Sequence, residues 1–405
     1  MALLSVEEAL HRILEGVDPM PAESVPIAAT AGRTLASPLA ARLTQPPFDA
    51  SAMDGYAVRL SDVGTLPATL TEIGQAAAGH PFGGKVGPGQ AVRIFTGAPV
   101  PAGADAIVIQ ENVSRDGAKI VVRDGAAESG NIRKMGFDFR AGDTLLEAGR
   151  RIGPRELSLA AAMGYGELPV RRRPRVAVLA TGDELVPPGG SLGPGQIITS
   201  NHLGVAALAE VNGAEARLLG IARDTRESLD AHIAKAAGAD VIITIGGASV
   251  GDHDLVAPAL EARGMALAFW KIAMRPGKPL MFGRLGHARV LGLPGNPVSA
   301  IVCSRVFLVP LIRALLGRSD QGPDPRQGLQ QARTAVALEA NGPRTHYMRA
   351  TSTTGSDGRA EVTPVRSQDS SLLSPLAQAD CLLVRPVNAP AAPAGSSVPI
   401  LQLDF

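Results

Sequence analysis

With 405 residues the chain exceeds the size at which one hydrophobic core keeps growing, so roughly two to four domains are expected. Apolar residues at 45% and charged residues at 19% exclude a disordered chain, and a net charge of +1 excludes a global field for nucleic acid or an anionic membrane. Aromatics are only 3%, against 46 Gly and 32 Pro, which predicts cores of Ala, Val, Leu and Ile joined by many tight turns.

Near the N-terminus, Ser5-Val6-Glu7-Glu8 has capping-box spacing, and Leu10, Ile13, Leu14 and Val17 share one face of a helix. No basic segment followed by an apolar stretch is present there, so no signal peptide is expected. From about 44 to 142 the chain is strand-rich and punctuated by Gly and Pro. Alternating segments at 91–95 and 106–109 predict an all-β insert. A short helix follows, with Pro154 in its first turn and Gly164 at its end. The basic run Arg171-Arg172-Arg173-Pro174 reads as a solvated linker rather than a nucleic-acid patch.

Beyond that run, strands at 175–180, 216–221 and 240–245 alternate with helices at 201–211, 225–237 and near 255–263. Further strands near 266–270, 279–282 and 289–293 lead into a long helix after Asn296-Pro297. Such alternation predicts a mostly parallel sheet covered on both faces. The apolar run 298–316 carries Ser299, Ser304, Arg305, Pro310 and Arg313, so it reads as a buried, kinked helix and not a membrane span. A polar stretch at 318–331 is a linker, and short strands and turns to 405 predict a small β domain. Cys303 and Cys381 stand far apart in unlike contexts; they read as plain buried thiols and offer no disulfide framework, which suits a reducing cytoplasm.

In an open parallel sheet, ligands sit outside the carboxyl ends of the strands. Three loops of the central region fall there. Thr181-Gly182-Asp183-Glu184 follows a strand, although a glycine beside a carboxylate is also a common turn. In Gly246-Gly247-Ala248-Ser249-Val250-Gly251-Asp252-His253-Asp254, glycines let the backbone approach an anion, and the Asp pair offers hard oxygen ligands suited to Mg²⁺. In Leu293-Pro294-Gly295-Asn296-Pro297-Val298-Ser299, Asn296 and Pro297 suit a helix start with or without a further role. Upstream, Lys271, Arg275 and Lys278 flank Pro276-Gly277 on an irregular segment, as a phosphate site or a solvated charged loop would. Pro46-Pro47-Phe48-Asp49-Ala50-Ser51-Ala52-Met53-Asp54-Gly55-Tyr56-Ala57-Val58 has no helical or strand period and is either a turn or a binding loop.

Taken in order, these segments resemble the molybdopterin molybdenumtransferase family, which includes the C-terminal portion of gephyrin. So do Phe95-Thr96-Gly97-Ala98-Pro99-Val100-Pro101 and Asn131-Ile132-Arg133. Any single motif is weak; the ordered set over nearly the whole chain is specific. The resemblance implies a multidomain α/β plus β fold. Residues 1–45 and 142–172 would form a helical linker domain and 46–141 a β-rich insert. Residues 173–318 would form a central three-layer α/β domain with a mostly parallel sheet, and 319–405 a C-terminal β domain. It further implies a homodimer in which one subunit's central domain faces its partner's insert.

The implied reaction is Mg²⁺-dependent insertion of molybdate into adenylylated molybdopterin with release of AMP, the final step of cofactor synthesis. Asp54, Glu184, Asp224 and Asp254 are the implied catalytic carboxylates, with Glu184, Asp224 and Asp254 as Mg²⁺ ligands. Substrate contacts map to Thr96, Arg133, Gly246, Gly247, Ser249, Lys271, Arg275, Lys278, Pro294, Pro297 and Ser370. The segment around Ser370 departs from the family's usual Gly-Ser-His at Asp369 and Ser371, so only Ser370 carries over. Ile245 stands where Ser or Thr is frequent, and Arg275 where Lys is common, which keeps charge but favours a forked oxyanion contact. Further implied partners are a molybdopterin adenylyltransferase and molybdoenzyme maturation factors, met transiently, with no nucleic acid and no membrane. Two rivals remain: a molybdopterin adenylyltransferase, which leaves the insert and C-terminal domain unexplained, and a non-catalytic cofactor-binding scaffold, which has no reason to gather carboxylates that repel one another.

Overall fold

The computed structural model describes residues 3–123, 131–247, 255–319, 328–355 and 357–403. The first helix, Val6–Leu14, starts where the Ser5 hydroxyl accepts the Glu8 N–H at 3.1 Å. Its apolar face (Val6, Ala9, Leu10 and Ile13) is buried. That face packs into the core of the central domain, not the linker unit within which 1–45 was expected. Periodicity says that a face is buried but not against what. The buried guanidinium of Arg289 adds a tie by donating to the Ile13 and Glu15 carbonyls. Each large side chain so buried contributes about 1.5–3 kcal/mol before conformational entropy is set against it.

The linker unit pairs Ala22–Pro26 with Glu167–Arg171 and Leu39–Ala40 with Thr144–Leu146, and adds the helix Pro154–Ala162. Its core gathers Leu35, Leu39, Leu146, Ile152, Met163 and Leu168, together with Phe139, which lies just inside the stretch expected to belong to the insert. The arginine run at 171–173 is not solvated as expected. Arg171 donates to the Met20 and Ala36 carbonyls, while Arg172 forks onto both oxygens of Asp240 at 2.9 and 3.0 Å. A carboxylate 68 residues away in sequence turns a basic run into a half-buried staple between linker and central sheet.

The insert is a six-stranded mixed sheet, in spatial order Ala106–Ile109, Gly55–Val58, Gln90–Ile94, Ala68–Ala76, Lys119–Val122, Val113–Asp116. Side chains alternate between its faces, and each face has its own core: Tyr56, Val58 and Val108 on one, Ala57, Val92, Ile94 and Ile107 on the other.

The central domain holds six strands: β1 (Arg175–Thr181), β2 (Glu215–Ala222), β3 (Val241–Ile245), β4 (Ala266–Trp270), β5 (Met281–Leu285) and β6 (Ala288–Leu293). Their order is β2-β1-β3-β6-β5-β4, with β2, β1, β3 and β6 paired in parallel and β5 running antiparallel between β6 and β4. Val176 and Val178 face a core shared with the helices Asn201–Val211 and Pro297–Cys303; Ala177 and Leu179 face one shared with Arg226–Ala234 and Val256–Glu261. Three layers and a mostly parallel sheet match the expectation.

The long apolar helix runs from Pro297 to Leu315, and 94% of its most apolar 18-residue stretch is buried, as in a core helix of a folded domain. Its expected irregularity takes the form of a π turn at Ser304–Leu308, followed at once by Pro310, whose ring cannot donate to the helical ladder.

In the C-terminal domain, Thr345–Thr354, Ala360–Pro364, Leu329–Thr334, Ser397–Gln402 and Cys381–Arg385 pair in turn and then back to Thr345–Thr354, closing a five-stranded barrel. Met274–Arg275 of the central domain adds to it beside Thr345–His346.

Candidate active site

Strand direction brings the expected central loops to one edge. The parallel strands β1, β2, β3 and β6 all end there. Met281 at the start of β5 pairs with Gly292 near the end of β6, and Trp270 at the end of β4 pairs with Met281, so the segment 271–280 lies on the same edge. The Gly246 N–H donates to the Leu293 carbonyl, and Gly246 and Gly247 both have positive φ, which leaves their loop open to close approach.

One corner of this edge is acidic. The Asp183 N–H donates to Asp224 at 3.4 Å, and the Asp224 N–H donates to Asp183 at 3.2 Å. The Arg223 guanidinium ties the Asp183 carbonyl from the same turn. Glu184 folds back over Gly182 so closely that a Cβ there would fall 2.3 Å from Oε2, at a φ of +149°. Asp183 and Asp224 thus exchange bonds, and Glu184, next in the chain, folds over Gly182 of the same turn. The motif that carried Glu184 also carried Asp183, so the signal for it was adjacency. Among the described residues no three His, Cys, Asp or Glu already stand in a metal-binding group. Ser249 and Asp254, the remaining expected members, lie outside the described residues. Asp183, Glu184 and Asp224 are exposed, hard oxygen donors of the kind that could hold Mg²⁺.

The other end of the edge is cationic. Lys271 has φ +81°, an unfavourable backbone for a residue with a Cβ, fixed by its N–H to the Leu280 carbonyl and by the Ile272 N–H to Lys278. Arg275 and Lys278 are exposed either side of buried Gly277, beneath which lies the Cys303 thiol. Arg275 is anchored from behind by the parallel pairing of Met274–Arg275 with the barrel.

Pro294 and Pro297 bracket the loop that opens the long helix. Its backbone is held by Asn201, whose amide donates to the Gly295 carbonyl at 2.6 Å. Asn296 donates to the Ser370 hydroxyl at 3.0 Å, and the Val298 N–H to the Ser370 carbonyl at 3.1 Å. Ser370 thus reaches the rim from the C-terminal domain. Its turn hangs on Arg349, 1% exposed, which donates to the carbonyls of Ser367, Asp369 and Leu372. Asp369 accepts the Ser371 N–H and hydroxyl, so the two departures from the family pattern stabilise a turn of their own. In sequence Arg349 was only one charge on a strand, and it was missed.

The insert makes a second cluster. Asp54 accepts the Thr96 N–H at 2.8 Å and the Thr96 hydroxyl at 2.7 Å. These two bonds, aided by the charge of Arg93, hold its carboxyl below the usual range. Ile132–Arg133 pairs with Ala50–Ser51, and the Gly97 N–H donates to Ser51, so the three insert motifs meet in one patch with Arg133 exposed. Among the described residues no hydrogen bond or ion pair joins this patch to the central rim within one chain.

Residues 4–164 match the family model of the MoeA N-terminal region (domain I and II), 177–314 that of a probable molybdopterin binding domain, and 331–403 the MoeA C-terminal region (domain IV). A relative from Haemophilus influenzae named molybdopterin molybdenumtransferase is 37% identical over 401 residues, 98% of both chains. One of the same name from Nostoc is 37% identical over 394 residues, 94% of this chain and 88% of that one. A solved molybdopterin biosynthesis moea protein from Pyrococcus horikosii superposes with a TM-score of 0.84 at 32% identity over all of both chains. Matched in order by these models and along its length by these relatives, the chain belongs to the molybdopterin molybdenumtransferase family.

Proposed function

We propose that the chain inserts molybdenum from molybdate into adenylylated molybdopterin, releasing AMP, at a composite site formed between subunits of a cytoplasmic homodimer. The observation that carries this reading is the pairing, on one sheet edge, of an acidic corner (Asp183, Glu184, Asp224) with a cationic loop (Lys271, Arg275, Lys278). Both substrates are anions, and their approach must overcome mutual repulsion. Lys271, Arg275 and Lys278 supply the positive field, with Arg275 able to fork onto an oxyanion. Gly246 and Gly247 let the backbone approach the pyrophosphate. Glu184 and Asp224, with Asp254, would hold Mg²⁺, which when bound neutralises charge on the leaving phosphate.

Neither cysteine serves as a molybdenum ligand on this reading. Both are buried, and burial raises both thiols, Cys381 to about 12. The sulfur comes from the pterin dithiolene. Asp54, ionised and fixed by Thr96, works from the insert of the partner subunit, a reading supported by the lack of any bond between the insert patch and the central rim within one chain among the described residues.

The test is to incubate the protein with adenylylated molybdopterin, Mg²⁺ and molybdate and follow AMP. Release that depends on molybdate is the expected result; consumption of ATP by unmodified molybdopterin would favour adenylyl transfer instead. For the composite site, inactive Asp54→Asn and Glu184→Gln proteins are mixed and allowed to exchange subunits. A heterodimer then has one site with both lesions and one with neither, so random pairing restores about a quarter of wild-type activity. Proven exchange without recovery would place both carboxylates in one subunit's site.

A further inference from the structure

Arg93 lies on the strand Gln90–Ile94, directly opposite Tyr56 in the antiparallel pairing with Gly55–Val58. Its guanidinium carbon is 5.0 Å from the Tyr56 ring centroid and 5.0 Å from that of Phe95. One nitrogen donates to the Gly55 carbonyl at 3.2 Å and another to the Gln110 side-chain oxygen at 2.5 Å. Gln110 in turn donates its backbone N–H to the Asp54 carbonyl at 3.1 Å. Gly55 follows Asp54, and Phe95 precedes Thr96. One planar cation therefore touches the chain immediately after the carboxylate, the chain immediately before its hydroxyl partner, and the residue that fixes the carboxylate's own backbone.

We infer that Arg93 is a positioning residue of the transfer reaction, clamping the Asp54 and Thr96 segments in the register that aims the Asp54 carboxylate. The inference rests on the reading that Asp54 takes part in that reaction. The clamp needs the shape of Arg and not only its charge. A guanidinium stacks between two rings while forking onto two acceptors, whereas an ammonium in the same place is a point charge that cannot span both. Its charge also favours the ionised form of Asp54, as does Thr96. Its contacts are with Tyr56, Phe95, Gly55 and Gln110 and not with Arg133, Lys271, Arg275 or Lys278, so its loss acts on turnover and spares the molybdate KM.

The experiment compares Arg93→Lys, Arg93→Met, Asp54→Asn and the double variant Arg93→Met/Asp54→Asn, all full length. Single-turnover AMP release is followed with adenylylated molybdopterin and varied molybdate, and thermal melts report folding. Displacement of a catalytic group by about 1 Å costs on the order of a hundredfold, so Arg93→Met is expected to lose about that much in kcat, with the KM for molybdate within about twofold. Arg93→Lys, which keeps the charge, recovers about tenfold of the loss. In the double variant the Arg93 lesion adds nothing to the loss in the residual single-turnover rate that Asp54→Asn leaves, because a clamp has no effect once its client is gone. Full activity in Arg93→Met overturns the inference, as does an additive loss in the double variant or a change confined to the molybdate KM. Should Arg93→Met fail to fold, the Lys variant carries the same comparison against Asp54→Asn. An active Asp54→Asn protein would instead remove the reading of the site and the inference with it, which separates the two failures.

Discussion

Replacing Gly277 with alanine puts a methyl group where Cys303 already stands. The ideal Cβ falls 2.4 Å from the Cys303 sulfur, against about 3.5–4.0 Å for relaxed contact, and Gly277 has φ +105°. The backbone penalty at such a φ is about 1–3 kcal/mol. Overpacking adds about 1–3 kcal/mol, and the sulfur cannot swing away, since Cys303 is fully buried in the long helix. Gly277→Ala is therefore expected to lose about 2–6 kcal/mol in urea unfolding. Its molybdate KM should rise as well, because the displaced loop carries Arg275 and Lys278. Removing the sulfur separates the two causes. Cys303→Ala alone costs about 1 kcal/mol as a small buried deletion. In the double variant the next atoms are Met274 Sδ and Cε at an ordinary 3.8 Å, so overpacking vanishes and only backbone strain remains. The double variant should be no less stable than Gly277→Ala, and its KM should fall part of the way back. Costs that simply add would refute the contact as the cause.

Glu156 accepts from Arg150 and caps its own helix through the Gly153 N–H, and these bonds, Arg150 first, hold its carboxyl below the usual range. A depressed folded-state pKa gives stability that is complete above the unfolded value and lost as pH falls through the folded one. Glu156→Gln should thus cost about 1–2 kcal/mol at neutral pH, with the gap closing below about pH 4 in pH-dependent melts. Arg349→Leu leaves three carbonyls without their donor and should destabilise the barrel by about 3 kcal/mol; a loss under about 1 kcal/mol in urea would show that water replaces the guanidinium. Both thiols should resist an aromatic disulfide reagent in the native protein and react only on unfolding, with fast native labelling of either one counting against their burial.

The rim was legible because its signals are local. Gly-rich turns at strand ends, the flanked Pro276-Gly277 and the Asn296-Pro297 helix start each fall within a few residues, and the strands of the central sheet fall within a residue or two of expectation, except that the one expected at 279–282 lies at Met281–Leu285. What escaped depends on partners distant in sequence. The helix at Val6–Leu14 showed its apolar face but not that the face belongs to another unit's core. The arginines at 171–173 looked solvated because Asp240 is remote. Met274–Arg275 is a strand of two residues, too short to show any period, and exists only because the barrel edge pairs with it. Closure of the barrel likewise depends on pairing Thr345–Thr354 with Cys381–Arg385, which alternation within either segment does not specify.

The barrel's place in the site follows from what it grips. Through Thr345 and His346 it holds the strand that carries Arg275, and through Ser370, slung from Arg349, it holds the start of the long helix. His346 is kept neutral near physiological pH, since burial, with the charges of Arg275 and Arg344, lowers it to about 4. Its own protonation therefore leaves the rim's positive field unchanged from about pH 6 to 8. The two domains also share one core: Tyr347, Leu382, Val384 and Leu401 of the barrel pack in the same cluster as Val302, Val306 and Leu308 of the long helix. A chain cut after 318 would expose that surface, and at about 1.5–3 kcal/mol for each large side chain uncovered the loss is comparable to the whole stability of a domain. The truncated protein is expected to aggregate or to melt without a cooperative transition. A soluble fragment with a sharp transition near that of the full chain would mean that the central domain folds alone and that the barrel merely docks on it.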